Sequence, residues 1–206
     1  MNRKLVFFTI ALVFIFVYLF PIKKAQALEG VTTSFYIGKF CPRDRAFQDT
    51  YSNIKGLSGF VELSQMYPYN IEAAIGGGWS HFSGHTVNNT EYPDGDRAIL
   101  DIATEYLQCS YFFRFVENQT IIPYLGGGFD VCEYNNIIAG NGSTGITFGY
   151  HGLIGMRLSL GWGDSVEEIK NTYFVLEARR MQIDNLGELK LDPSGQLYRL
   201  GLLWEF

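Results

Sequence analysis

Seven polar, turn-forming breaks divide this chain, and long ones alternate with shorter ones. The breaks read as long fall at 41–56, 83–97, 132–145 and 185–194; those read as short fall at 67–70, 117–120 and 161–171, the last of them eleven residues. Between them the side chains alternate apolar and polar with the period of a strand, whose successive residues point to opposite faces. Seven connections join eight strands, expected at 31–40, 57–67, 71–82, 98–115, 121–131, 146–160, 172–183 and 195–206. Long connections at one end and short ones at the other describe an antiparallel meander. An up-and-down β-barrel distributes its loops and turns in this way.

The last strand says which solvent its apolar face meets. Tyr198, Leu200, Leu202, Trp204 and Phe206 share one face, while Leu197, Arg199, Gly201, Leu203 and Glu205 share the other. An aromatic and aliphatic stripe opposite a mixed one suits a strand between lipid and a barrel lumen. The third strand repeats the arrangement, with Ile71, Ala73, Ile75, Gly77 and Trp79 opposite Glu72, Ala74, Gly76, Gly78 and Ser80. The sixth does so too, with Phe148, Tyr150, Ile154, Met156 and Leu158 opposite Gly149, His151, Gly155, Arg157 and Ser159. In the second strand Leu57, Val61 and Leu63 oppose Ser58, Glu62 and Ser64. The fourth strand breaks the pattern. If Asp101 and Glu105 face the lumen, the same parity sends Tyr111, Phe113 and Phe115 inward, so a bulge is expected near Leu107.

Residues 1–27 read as a cleaved signal peptide. Arg3 and Lys4 start it, an apolar run follows to Phe20, and Ala25-Gln26-Ala27 offers small residues for cleavage before Leu28. The run is short for a membrane helix, which needs about 20 residues. The domain is therefore 28–206. Without the leader, 12 cations face 21 acids, a net charge of −9. This balance argues against nucleic acid as a partner.

Residues Arg199 to Phe206, with Gly201, Trp204 and a terminal Phe206, resemble the C-terminal signal that bacterial outer-membrane barrels present to their assembly machinery. Pro123-Tyr124-Leu125-Gly126-Gly127-Gly128-Phe129 resembles a strand of the small porin-like, outer-membrane protein A-like barrels. Tyr173-Phe174-Val175-Leu176-Glu177-Ala178-Arg179, with Leu191-Asp192-Pro193-Ser194-Gly195, is similar to that family's closing hairpin. The resemblance implies an integral protein of a Gram-negative outer membrane, with membrane lipid and the barrel-assembly machinery as partners. It implies no cofactor, and it does not select among the activities such barrels carry.

Eight strands enclose an interior about wide enough for side chains to fill. By parity the lumen holds Glu62, Glu72, His151, Arg157, Glu177, Arg179, Arg199 and Glu205. Charges there need partners, so a salt-bridge network closing the pore is expected, with the loops binding an unidentified surface partner. The glycine runs 76–78 and 126–128 lack the Lys-Ser or Lys-Thr of a phosphate loop; in a narrow barrel they leave room for long lumen side chains. Cys41 and Cys132, both at the loop end, are a candidate disulfide, while Cys109 lies within the fourth strand.

Three other readings stand beside this one. His81 and Ser83 share a strand face, with Glu91 or Asp94 downstream, and such a set serves acyl transfer; it resembles the His-x-Ser of outer-membrane lipid A deacylases. That family has Asn after the Ser, whereas this chain has Gly84, so no catalytic residue is assigned. A narrow channel would run through the lumen charges. A soluble lipocalin-like barrel would turn the aromatic stripe of the last strand inward to bind a ligand. Glu91, Asp94 and Asp96 offer calcium-type oxygens, and His81 and His85 lie four apart, but the loop sequence is an ordinary turn and no metal ligand is assigned.

Overall fold

The computed structural model describes residues 30–51, 56–86, 95–116, 119–160, 172–184, 186 and 191–205. The leader 1–27, Glu91, Asp94 and the terminal Phe206 lie outside the described residues. Eight strands run in chain order: β1 (Val31–Pro42), β2 (Gly56–Tyr67), β3 (Ile71–His85), β4 (Arg97–Phe112), β5 (Ile121–Ile138), β6 (Asn141–Ser159), β7 (Thr172–Ile183) and β8 (Gly195–Glu205). Each pairs antiparallel with the next, and β8 returns to β1, so the sheet is a closed barrel. Closure leaves no strand edge unpaired, which a lipid environment demands because no water is there to satisfy it.

The register sets the strand tilt. Following direct partners from Thr32 leads through Ser64, Ala74, Gln108, Gly128, His151, Met181 and Gly195 back to Pro42, ten residues further along β1. For eight strands, this stagger corresponds to a tilt of about 40° and a bore narrow enough for side chains to fill.

Parity then sorts the side chains. Outside, Phe35, Val61, Trp79, Leu107, Leu125, Ile154, Leu200 and Leu202 are exposed to the surroundings. Trp204 and Tyr111 stand at the short-turn end of this apolar band, and Trp79, Tyr150 and Tyr198 stand toward the other end, as aromatic girdles do. The stripe of β8 faces outward, which overturns the lipocalin-like alternative: Tyr198 is 50% exposed, while Leu197 and Arg199 are each 1% exposed.

Several expectations are corrected. There is no bulge in β4, since its register with β3 and β5 is unbroken. Ile102, Thr104, Tyr106 and Gln108 fill the lumen positions, and Asp101 and Glu105 point outward. The break expected at 132–145 is mostly strand. β5 and β6 continue as a hairpin to a two-residue turn at Ala139 (φ 52°) and Gly140 (φ 83°), the positive-φ pair of a tight hairpin. The first long loop contains a short helix, α1 (Arg45–Thr50), where Asp44 caps the backbone N–H groups of Ala46 and Phe47. The turn between β2 and β3 (Pro68–Asn70) is tight and takes left-handed backbone at Tyr69 (φ 67°) and Asn70 (φ 60°).

Candidate functional site

The lumen is a stack of polar layers under an apolar cap. Nearest the short-turn end, Arg157 donates to both oxygens of Glu72, at 2.7 and 2.9 Å. Its guanidinium lies 4.2 Å from the centre of the Phe112 ring, which is itself stacked on Tyr124. The pair is thus held by one guanidinium nitrogen, Nη2, shared between both carboxylate oxygens, and by ring faces.

Mid-barrel, two acids and two cations form one cluster. Glu177 sits 2.5 Å from Arg179 and 2.6 Å from Arg199, and Glu62 lies 3.3 and 3.5 Å from the same two arginines. Three tyrosines complete it. Tyr106 donates to Glu62 at 2.8 Å, Tyr36 donates to Glu62 at 3.3 Å, and Tyr124 donates to Glu177 at 2.9 Å. Arg179 also donates to Gln108. Arg199 lies 4.0 Å over the Tyr36 ring and Arg179 lies 4.2 Å over Tyr106. All four charged residues are buried. Moving an ion out of water costs several kcal/mol, and the matched count of acids and bases offsets that cost.

The glycines explain how so many large groups fit. Tyr106 lies over its cross-strand partner Gly76, where a Cβ would meet the ring at 2.3 Å, and Tyr124 lies over Gly155 and Tyr36 over Gly201 in the same way. A side chain at any of these glycines would displace a ring that holds a carboxylate.

Above the cluster, His151 bonds Asp130 at 2.8 Å through Nδ1, with both side chains fully buried. Higher still, the lining is mostly apolar. Phe40, Phe82, Ile102, Met181, Ile183 and Leu197, with Ser80 and Thr104, surround a space of only about 10 Å³, at the lower limit for one water. Helix α1 seals the mouth. Phe47 packs edge-on against Phe82, and Tyr51 donates to Asn136 of the hairpin at 2.5 Å; both Phe47 and Tyr51 are fully buried. The chemistry of this arrangement is closure.

The lumen residues named from sequence divide into groups. Glu62, Glu177, Arg179 and Arg199 meet in one cluster, Glu72 and Arg157 form a separate pair, and His151 joins Asp130. Glu205 is half-buried at the short-turn end beside Tyr173 and makes no ion pair with the lumen arginines. Asp130, Gln108 and the three tyrosines escaped the sequence reading. Their signal was inward parity together with a glycine directly opposite each tyrosine.

The other candidates are placed as follows. Cys41 and Cys132 are not joined: all three cysteines are free, Cys41 pointing outward and Cys132 buried in the lumen beside Thr104, on opposite faces of the wall. His81 faces outward and bonds Asp101 of β4 at 2.7 Å, and its ring stacks on Trp79. Trp79 lies one outward step below His81 and Ser83 one step above. No hydrogen bond joins His81 to Ser83 among the described residues. Among the described residues no three His, Cys, Asp or Glu side chains converge on a metal position.

No protein-family model matches the chain, and no curated protein sequence does. Solved structures do match. Outer membrane protein OprG from Pseudomonas aeruginosa superposes with a TM-score of 0.63 at 13% identity, over 86% of this chain and 96% of that one. Neisserial surface protein A gives a TM-score of 0.57 at 14% identity, over 87% and 97%. The N-terminal barrel domain of Pseudomonas aeruginosa OprF gives 0.52 at 12% identity, over 86% and 98%. The chain has the fold of the small, eight-stranded, outer-membrane protein A-like β-barrels.

Proposed function

We propose that this chain is an integral protein of a Gram-negative outer membrane, structural or surface-binding in role, whose activity resides in its extracellular loops and hairpin rather than in a pore. The observation that carries the reading is the plug: three lumen acids and three lumen arginines bonded to one another beneath an apolar cap. A channel needs sites an ion can enter and leave, and these charges are already paired with each other. The exterior supports the membrane setting, with an apolar band between aromatic girdles. Export through residues 1–27 and recognition by the barrel-assembly machinery through Arg199, Gly201, Trp204 and Phe206 complete the proposal. A non-enzymatic role is supported by the names of the structures it resembles, which are outer-membrane and surface proteins rather than enzymes.

At the long-loop end, a rigid feature available to a partner is the β5–β6 hairpin, braced near its tip by the bond from Tyr51 to Asn136. Reconstituted in planar bilayers, the protein is expected to give no steady current at neutral pH. Stable, voltage-driven single-channel openings from the purified protein would overturn the closed-lumen reading.

A further inference from the structure

The outer wall is not smooth. A furrow of about 590 Å³ crosses the outward faces of β6, β7, β8 and β1, lined among others by Met156, Ile154, Leu176, Ala178, Tyr198 and Lys39. Its floor is explained by one small residue. Ala178 pairs directly with Ile154 on one side and Tyr198 on the other, so a methyl group stands between two large side chains. The volume is within the range of pockets that hold a small organic ligand, and the lining is almost wholly apolar.

The end of the furrow nearer the long loops carries positive charge. Lys39 lines it, pairing across the strands with Tyr198. Arg180 is the next outward residue after Ala178 and lies opposite Gln196. Both cations are exposed, and neither makes an ion pair among the described residues. Among the described residues, the outward acids of the strands stand elsewhere. Asp101, Glu105 and Glu133 belong to β4 and β5, and Asp184 lies four residues beyond Arg180 toward the loops. Cations on a lipid-facing wall are costly at mid-depth and tolerated at the interface, so Lys39 and Arg180 mark the headgroup level on this side of the barrel.

We infer that this furrow holds one acyl chain of a phosphate-bearing lipid of the outer leaflet, with Lys39 and Arg180 on its phosphate. The inference rests on the outer-membrane reading above and goes beyond it by assigning a site. Loose snorkelling of two cations would need no furrow below them; here an apolar trough about Ala178 leads directly to the pair. Lipid A, with its phosphates and several acyl chains, has the required chemistry.

The test uses the full-length protein expressed in a Gram-negative host and extracted from outer membranes. Native mass spectrometry would compare binding of diphosphorylated lipid A, of the same lipid A stripped of phosphate, and of phosphatidylethanolamine. One diphosphorylated lipid A per barrel is expected to bind at least about tenfold tighter than either other lipid, from cation–phosphate attraction. Lys39→Gln with Arg180→Gln should reduce it to the level of the stripped form. Ala178→Trp, which fills the floor, should weaken both lipid A forms, and Leu107→Ala on the opposite wall should change neither. The electrophoretic heat shift of each variant reports folding, and Ala178→Leu takes the place of Ala178→Trp if the latter fails to fold. Equal binding of phosphorylated and stripped lipid, or binding insensitive to a filled floor in a folded barrel, would overturn the site. If the wild-type chain instead lacks a heat shift and stays out of the outer membrane, the membrane reading itself fails, a result distinct from loss of the site alone.

Discussion

Arg179→Ala is expected to destabilise the barrel by about 3–5 kcal/mol, the cost of leaving a buried charge without its partner. Arg179 serves Glu177 at 2.5 Å, Glu62 at 3.3 Å and Gln108, and it covers the Tyr106 ring. Without it, two buried carboxylates share Arg199 alone. Urea unfolding of the refolded protein in detergent or lipid measures the effect. The companion variant is Arg179→Met with Glu177→Gln, which removes one charge of each sign and retains most of the volume. It should recover a large part of the loss, because the penalty lies in the unmatched charge and not in the missing salt bridge. A single substitution costing under about 1 kcal/mol would mean that water reaches this layer and the plug is not closed.

A second large effect is expected from one added methyl group. At Gly128 a Cβ would lie 2.2 Å from the backbone oxygen of Leu107 and 2.7 Å from the His151 ring. The backbone oxygen belongs to the β4–β5 ladder and cannot swing aside. Gly128→Ala should therefore cost at least about 2 kcal/mol, in the range of core overpacking, or prevent folding. Gly152→Ala is the matched control: it is also in mid-strand, but its Cβ would meet nothing within 4 Å. It should be neutral or slightly stabilising, since Gly in a strand interior is entropically unfavourable. Similar refolding yields and urea midpoints for the two variants would contradict the packing described for β4, β5 and β6.

The legible parts of this fold are those written in period two. Strand β8, with Tyr198, Leu200, Leu202 and Trp204 on one face, shows its orientation without any knowledge of its partners. Glu62, Glu72, Arg157, Glu177, Arg179 and Arg199 could be assigned to the lumen because parity alone decides it. Which acid meets which arginine could not be read, because pairing depends on the ten-residue stagger of the closed register. Strand β4 misled for a physical reason. Asp101 and Glu105 were assigned by charge to the lumen, yet His81 offers Asp101 a partner outside, and Tyr106 and Gln108 were needed inside. The segment 132–145 misled in another way: Asn and Gly suggested a loop, whereas a tight hairpin needs them only at its tip and tolerates the rest within strands. Helix α1 was hidden because Phe47 and Tyr51 sit among polar residues, and only the barrel mouth gives them something to bury against.

The most direct test of the account is the location and thermal behaviour of the protein in cells. The full chain would be expressed in a Gram-negative host, its outer membranes isolated, and the protein run on a denaturing gel with and without boiling. A closed barrel should be found in the outer-membrane fraction and migrate differently when unheated, because a sheet without edges resists detergent. A soluble periplasmic protein with a single mobility would contradict the account, since the exposed stripe of Tyr198, Leu200, Leu202 and Trp204 would then have no lipid to face.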